Sequence, residues 1–242
     1  DVNIFEGRRP IKVLEYRLFA QQMFINWVKE MSDAIRSGGS KSQLITVGQD
    51  EGGTCDRPNP QFYYECVDFT CNHTWWFNDD LLWDGVMTKA PAKPNLIEET
   101  GMMFSENMDG SAWRTEADAR NMLATKFAMA YAANGAGFIQ WIWNTNCYMK
   151  SDNEAAIGFY RADGTAKPEL EPFITIARFI ASHRLFLGGR QDEDVVMVIP
   201  HSTMFSVRNL ATAATKMCVR VMHYHCSTAM RTVSEYGVDL IT

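Results

Sequence analysis

The stretch of the sequence best suited to chemistry is residues 93–101, where a short apolar run ends in two carboxylates. Leu96 and Ile97 precede Glu98 and Glu99, and Gly101 follows two residues after Glu99. A buried strand that delivers an acid to the rim of a barrel has this pattern, because its polar residues come where the strand leaves the core. A carboxylate held there can attack the anomeric carbon of a sugar. It can also act as a general acid or base on the glycosidic bond.

The two glutamates are not expected to be equivalent. Successive side chains on a strand point to opposite sides, so only one of Glu98 and Glu99 is expected to face the axis of a barrel. The residues alone do not choose between them. The plain alternative is that both are solvated acids at the end of a strand.

Polar and aromatic residues also follow three other predicted strands. In α/β proteins, ligands bind at the C-terminal ends of the strands. A histidine there can donate a hydrogen bond to a nucleophile or a sugar hydroxyl, and an exposed indole can stack on a sugar ring. The candidate substrate-binding residues at these strand ends are His73, Trp75, Trp143, Asn144 and Glu51.

The elements that must position these residues alternate between helix and strand. Apolar residues at three–four spacing predict a helix over 11–37, stopped by Gly38 and Gly39, and Thr115 with Asp118 forms a capping-box pattern at the start of another. Strands are predicted at 44–47, 67–72, 95–99 and 138–143. Helices are predicted at 58–64, 80–89, 115–133 and 169–183. Near-continuously apolar strands between helices are typical of a parallel sheet covered by helices, an α/β fold.

The composition and motifs of the chain exclude several classes of binding partner and cofactor. The chain has 242 residues, of which 46% are hydrophobic, and a formal net charge of -6. Nucleic-acid binding usually needs a basic face, so it is not expected. The sequence holds no apolar run of about 18 residues, so no membrane span is expected either. No phosphate loop or zinc-ligand spacing occurs, and we expect no cofactor and no metal. The six cysteines leave the compartment open, with a periplasmic or secreted location preferred to a cytoplasmic one.

The chain is expected to contain a domain boundary near Gly188 and Gly189. An acidic run follows at 192–194, and a new apolar strand is predicted at 195–199. We therefore predict one domain at 1–187 and the start of a second α/β domain at 188–242.

In this order, the strand motifs resemble the second half of a (β/α)8 barrel. The resemblance is to the clan of retaining glycoside hydrolases that includes cellulases, β-mannanases and β-galactosidases. It covers roughly residues 1–185, and it places 44–48 on strand five, 68–75 on strand six, 93–101 on strand seven and 137–143 on strand eight. The tail resembles the flavodoxin-like domain that follows the barrel in some β-galactosidases. The resemblance thus implies a TIM barrel represented by strands five to eight, with part of a second domain.

The resemblance implies a nucleophile and a missing partner for it. The nucleophile of the clan matches Glu99. The acid/base glutamate of the clan ends strand four, usually in an Asn-Glu pair, and no such pair precedes the stretch matched to strand five. We therefore expect the acid/base upstream of Asp1 and expect this chain to be a fragment, with Glu6 and Glu51 as weaker substitutes for the acid.

The sequence thus predicts a retaining glycoside hydrolase that cleaves O-glycosidic bonds by double displacement, with a carbohydrate as its partner. Formation of a homo-oligomer is left open. One alternative is a carbohydrate-binding or scaffold protein with a catalytically degenerate barrel. A weaker alternative is a (β/α)8 enzyme of different chemistry, such as a lyase.

Overall fold

The computed structural model describes residues 10–39, 41–49, 57–75, 81, 84–85, 87–90, 92–101, 114–132, 135–145 and 157–183. The predicted second domain at 188–242 lies outside these residues, and so does Glu51.

The fold is α/β with a parallel sheet. Among the described residues, three strands form the sheet in the order β1-β2-β3. None of the described helices is long and apolar enough to cross a membrane. The elements, in chain order, are α1 (Pro10–Gly38), α2 (Pro60–Tyr63), a 3-10 turn (Tyr64–Cys66), β1 (Thr70–Thr74), β2 (Asn95–Thr100), α3 (Glu116–Ala132), β3 (Gly137–Gln140) and α4 (Leu170–His183).

The chain forms two compact units. The first takes in residues up to Asn72 and Leu82–Leu96, and the second takes in His73–Leu81 and Ile97–Gly189, as far as these ranges are described. In the first unit, Val28 of α1 is buried against Tyr63 and Val67. Burial of these apolar side chains holds α1 against the short helix α2.

The core of the second unit joins α3, β3 and α4 through aromatic rings. Phe127 of α3 stacks on Phe138 of β3 with ring centroids 4.1 Å apart. The ring centroid of Phe173 on α4 lies 4.8 Å from that of Phe159 and 5.6 Å from that of Phe127. Such pairs add about 0.5–1.5 kcal/mol each beyond the burial of their area, so they fix how the two helices lie against β3.

The capping box predicted at Thr115 is present. The Thr115 hydroxyl accepts a hydrogen bond from the Asp118 backbone N–H at 3.1 Å, and the Asp118 carboxylate accepts one from the Thr115 backbone N–H at 3.1 Å. Two N–H groups that the helix leaves unpaired are satisfied in this way. Helices α1, α3 and α4 and strand β2 confirm the predictions for 11–37, 115–133, 169–183 and 95–99 within one or two residues.

The prediction of a strand at 44–47 is wrong. The Asp68 backbone N–H donates to Ile45 O at 2.8 Å, but side chains take the neighbouring bonds: the Asp68 carboxylate accepts from the Ile45 N–H at 2.6 Å, and the Thr46 hydroxyl donates to Phe69 O at 2.7 Å. Asp68 also binds Arg36. The next strand begins after these contacts, at Thr70 and not at the predicted position 67.

The strand predicted over 138–143 is shorter than expected. β3 ends at Gln140. Beyond it, the backbone N–H of Phe159 donates to Trp143 O at 2.9 Å, and that of Thr145 donates to Tyr160 O at 2.8 Å. Trp141 still donates its backbone N–H to Thr100 O at 2.8 Å, and the chain beyond it pairs with residues 159–160.

Candidate active site

The candidate active site lies where β1 and β2 end side by side. The Thr100 hydroxyl at the end of β2 donates to Thr74 O at the end of β1, at 2.6 Å. His73 lies on β1, and Glu98 and Glu99 lie on β2. The register of the two neighbouring strands therefore brings an imidazole beside two carboxylates.

Glu99 accepts a hydrogen bond from the residue after β1 and lies near an imidazole of β1. The indole N–H of Trp75 donates to Glu99 Oε1 at 2.9 Å. His73 Nδ1 lies 3.7 Å from Glu99 Oε2. The Glu99 side chain keeps 27% of its surface exposed, so a ligand can reach it. An indole N–H can only donate, so Glu99 Oε1 is the acceptor of this bond.

Glu98 also reaches His73. Glu98 Oε2 lies 3.7 Å from His73 Nε2, and this oxygen is buried without a hydrogen-bond partner among the described residues. The expectation from strand alternation was that only one glutamate would face the site. Alternation of burial holds as far as Ile97, after which Glu98 and Glu99 are both half-buried, so the two long side chains flank the same ring.

Trp75 lies against a glycine that leaves no room for a side chain. Trp75 is 8% exposed. A Cβ on Gly101 would lie 2.7 Å from Trp75 Cζ3, 2.9 Å from Gln140 Nε2 and 2.9 Å from Trp141 O. Glycine at this position thus leaves room for the indole beside the end of β2, where its N–H meets Glu99.

Beneath these residues, a lysine of α3 binds the ends of both strands. Lys126 Nζ donates to Thr74 O at 3.1 Å, to Trp75 O at 2.9 Å and to Gly101 O at 3.0 Å. The Lys126 residue is fully buried. An ammonium has three N–H donors, and three carbonyl groups receive them here.

Trp143 and Asn144 belong to a second group, built on residues 157–160. The ring centroid of Trp143 lies 5.2 Å from that of Tyr160 and 6.2 Å from that of Phe159. The Trp143 residue is 59% exposed. Asn144 is exposed and forms a bridge with Tyr160. Gly158 lies so close to this segment that a Cβ on it would be 2.2 Å from Asn144 C. Trp143 thus keeps more than half of its surface exposed.

The structure brings three of the six predicted residues together: His73, Trp75 and Glu99. Glu51 lies outside the described residues. Within the described ranges, no group of three or more His, Cys, Asp and Glu side chains is arranged to hold a metal ion.

Sequence reasoning did not identify Lys126 or Gly101 as site residues. It also did not predict that Glu98 contacts His73. The signal for Lys126 was its position: it follows Ala119 and Leu123 at helical spacing, on the face of α3 that also carries the buried Ala130. A lone lysine among apolar positions of a helix is buried only when carbonyl or carboxylate groups receive it.

Comparisons with known proteins show what the fold is similar to. No family model matches the chain, and no curated protein does. Among solved structures, a GH5_18 variant from Streptomyces cattleya in complex with Manβ1-4GlcNAc matches with a TM-score of 0.60 at 13% identity, over 92% of this chain and 61% of that one. An exo-β-1,4-mannosidase from Opitutaceae bacterium strain TAV5 matches with a TM-score of 0.60 at 16% identity, over 91% of this chain and 42% of that one.

A third structure is a GH5_18 variant from Bifidobacterium longum in complex with Manβ1-4GlcNAc. Its TM-score is 0.59 at 14% identity, over 91% of this chain and 58% of that one. These proteins are glycoside hydrolases with a TIM-barrel fold, and at such identities the likeness is one of fold. This chain spans about three fifths or less of the length of each of them.

Proposed function

We propose that this chain carries the nucleophile of a retaining β-glycosidase, and that the nucleophile is Glu99. The observation that carries the proposal is the contact of the Glu99 carboxylate with the Trp75 N–H at 2.9 Å, beside His73, at the C-terminal end of a strand. In a barrel of parallel strands, that end is where catalytic groups lie. The likeness in fold to glycoside hydrolases supports the same assignment.

The proposed reaction is a double displacement. A lone pair of a Glu99 oxygen forms a bond to the anomeric carbon while the bond from that carbon to the leaving oxygen breaks, and an acid protonates the leaving oxygen. Water then attacks the same carbon, gives its proton to a base and releases the Glu99 carboxylate. Glu99 Oε2 is our choice for the attacking atom, because Oε1 accepts the indole hydrogen bond of Trp75.

Each of the other site residues has a proposed role. Trp75 orients Glu99, since its ring is too buried to offer an open face to a sugar. His73 donates to Glu99 or to a sugar hydroxyl. Trp143 supplies a stacking platform, because C–H faces of a sugar ring pack on an exposed indole. Asn144 is a candidate for binding a hydroxyl group.

The proposed substrate class is β-mannosides. Two of the solved structures of similar fold hold Manβ1-4GlcNAc, and a third protein is an exo-β-1,4-mannosidase. A β-mannoside is therefore the first substrate to test, and a β-glucoside with the same leaving group is its matched comparison.

The experiment is mechanism-based labelling of the 242-residue chain. A 2-fluoro β-mannoside with a dinitrophenolate leaving group reacts without protonation of that group, so the test of the nucleophile does not depend on the acid. We expect one covalent sugar adduct by intact-mass spectrometry, located on Glu99 by peptide mapping. Glu99→Gln should abolish the adduct, whereas Glu98→Gln, which removes the neighbouring carboxylate of the same strand, should leave it in place.

The outcomes separate the proposed functions. An adduct on any other residue, or one that persists in Glu99→Gln, would end the assignment of Glu99. Binding of mannosides without any adduct would favour the alternative of a carbohydrate-binding protein, for which the exposed Trp143 is the specific supporting observation.

A further inference from the structure

Lys126 has no part in the proposed reaction, yet it is fully buried in the core of the second unit. It lies on α3 beside Leu123 and Phe127, which are also buried. An apolar residue would fill this position without the desolvation cost that a buried ammonium carries. The contacts of the amine are therefore the physical reason for a lysine here.

Three hydrogen bonds of the amine reach the ends of the two strands that form the site. Thr74 O and Trp75 O come from the end of β1 and the next residue, and Gly101 O comes from the residue after β2. Trp75 carries the N–H that binds Glu99, and Gly101 lies two residues after Glu99. One ammonium group thus holds the backbone on both sides of the Trp75–Glu99 hydrogen bond.

We propose that Lys126 is a positioning residue: it joins the ends of β1 and β2 so that the Trp75 indole N–H stays in line with the Glu99 carboxylate. Three carbonyl oxygens that converge on one point repel one another when no cation lies between them. Loss of the amine lets the two strand ends separate, and the indole moves with its own backbone. The consequence for rate rests on the proposed function, whereas the consequence for the hydrogen bond does not.

The direct test is the indole N–H resonance of Trp75 in a ¹H–¹⁵N spectrum of the 242-residue chain, identified by its loss in Trp75→Phe. A hydrogen bond to a carboxylate moves an indole proton downfield. In Lys126→Met, we expect this resonance to move upfield towards the position that it takes in Glu99→Ala, where the side chain has no oxygen to accept from the indole. The indole resonances of Trp141 and Trp143 should keep their folded positions and report that the variant is folded.

Lys93 provides a matched control. Its Nζ donates to Tyr64 O at 2.6 Å and also to Val67 O, so it is a second lysine bound to backbone carbonyl groups, but those groups precede β1. Lys93→Met makes the same chemical change and should leave the Trp75 resonance where it is.

A second readout is the rate of labelling by the 2-fluoro mannoside. We expect Lys126→Met to slow labelling at saturation by tenfold or more, with the concentration for half-maximal rate changed less than twofold, because the lysine does not touch the sugar. If the unaltered chain forms no adduct, the proposed function fails, and the resonance still decides the positioning role.

Two outcomes would overturn the inference. One is a folded Lys126→Met variant with an unmoved Trp75 resonance, and the other is an equal shift in Lys93→Met. If Lys126→Met does not fold in buffer, the spectrum is measured in trimethylamine N-oxide, which favours the folded state. Failure to fold there also counts against the proposal, since the lysine would then hold the fold and not the site.

Discussion

Trp75 donates its indole N–H to Glu99, with 2.9 Å between Nε1 and Oε1. The donor comes from the residue after one strand, and the acceptor lies near the end of its neighbour. The bond therefore exists only when both strand ends are in register. It makes the site sensitive to changes that touch neither residue.

The first prediction concerns the donor itself. Trp75→Phe keeps most of the ring and removes the N–H. A hydrogen bond to a charged group contributes about 1.5–3 kcal/mol, so we expect labelling of Glu99 by the 2-fluoro mannoside to slow by about 10- to 100-fold. The measurement is the rate of adduct formation by mass spectrometry. Trp27→Phe, on the exposed side of α1, is the control and should label at the original rate.

The second prediction concerns the space beside that indole. Gly101→Ala places a Cβ 2.7 Å from Trp75 Cζ3, so the ring or the backbone must move. We expect a loss of about 1–3 kcal/mol in the free energy of unfolding, measured by urea denaturation, together with slower labelling. Gly38→Ala adds the same methyl group where no atom lies within 4 Å. Equal stability of the two variants would show that the crowding at Gly101 is relieved at no cost.

The third prediction concerns the start of α3. Thr115→Ala removes the hydroxyl that accepts from the Asp118 backbone N–H, and we expect a loss of about 1 kcal/mol in stability. Thr125→Ala is the control, because Thr125 lies inside the helix and donates only to Asn121 O. It should be neutral or slightly stabilising, since alanine has the higher helix propensity.

Thr115→Ala should also change the pKa of Asp118. Hydrogen bonds from the Thr115 hydroxyl and backbone N–H lower the pKa of Asp118. Stability from this carboxylate is therefore present above its unfolded pKa of about 3.9 and is lost as the pH falls through its folded pKa. In Thr115→Ala, the pKa of Asp118 measured by NMR should rise towards its ordinary value. An unchanged pKa would mean that the hydroxyl contributes nothing to it.

The fourth prediction concerns a buried acid at the start of α4. Glu169 is 6% exposed, and burial raises its pKa, while Lys167, Arg161 and Glu116 face it. A raised folded pKa means that ionisation is less favourable in the folded chain than in the unfolded one. The resulting loss of stability begins as the pH rises through the unfolded value of about 4.3 and is complete above the folded pKa.

Glu169→Gln removes that titration. Thermal unfolding from pH 4 to pH 7 should therefore show the unaltered chain losing stability relative to the variant as the pH rises. Glu171→Gln removes a negative charge from an exposed residue of the same helix and serves as the control for net charge. A difference between Glu169→Gln and the unaltered chain that is constant over this range would contradict the cause given for the raised pKa.

Local sequence was enough for the elements whose signals are local. Helix α1 ends at the first of two consecutive glycines, and α3 begins at a capping box that both side chains complete. Strand β2, with Glu98 and Glu99 near its end, was also predicted to within one residue. In each case, the residues that fix the boundary lie within a few positions of it, so spacing alone is sufficient.

Other features depend on residues that are distant along the chain. The strand predicted at 44–47 failed because Asp68, more than twenty residues away, takes the Ile45 N–H. Both glutamates flank His73, although alternation predicted that only one would face the site. A periodic pattern tells which side of a strand a residue occupies, but the reach of a long side chain past a strand end depends on its neighbours.

The sequence by itself determined that an acid stands at the end of a strand in an α/β chain. Only the tertiary structure decided what surrounds Glu99: an indole N–H from Trp75, an imidazole from His73, and the buried Lys126 that binds the ends of both strands. The physical reason is that propensity and periodicity act over a few residues. Hydrogen bonds between neighbouring strands, and from a helix to strand ends, depend on register and depth, which the folded chain sets as a whole.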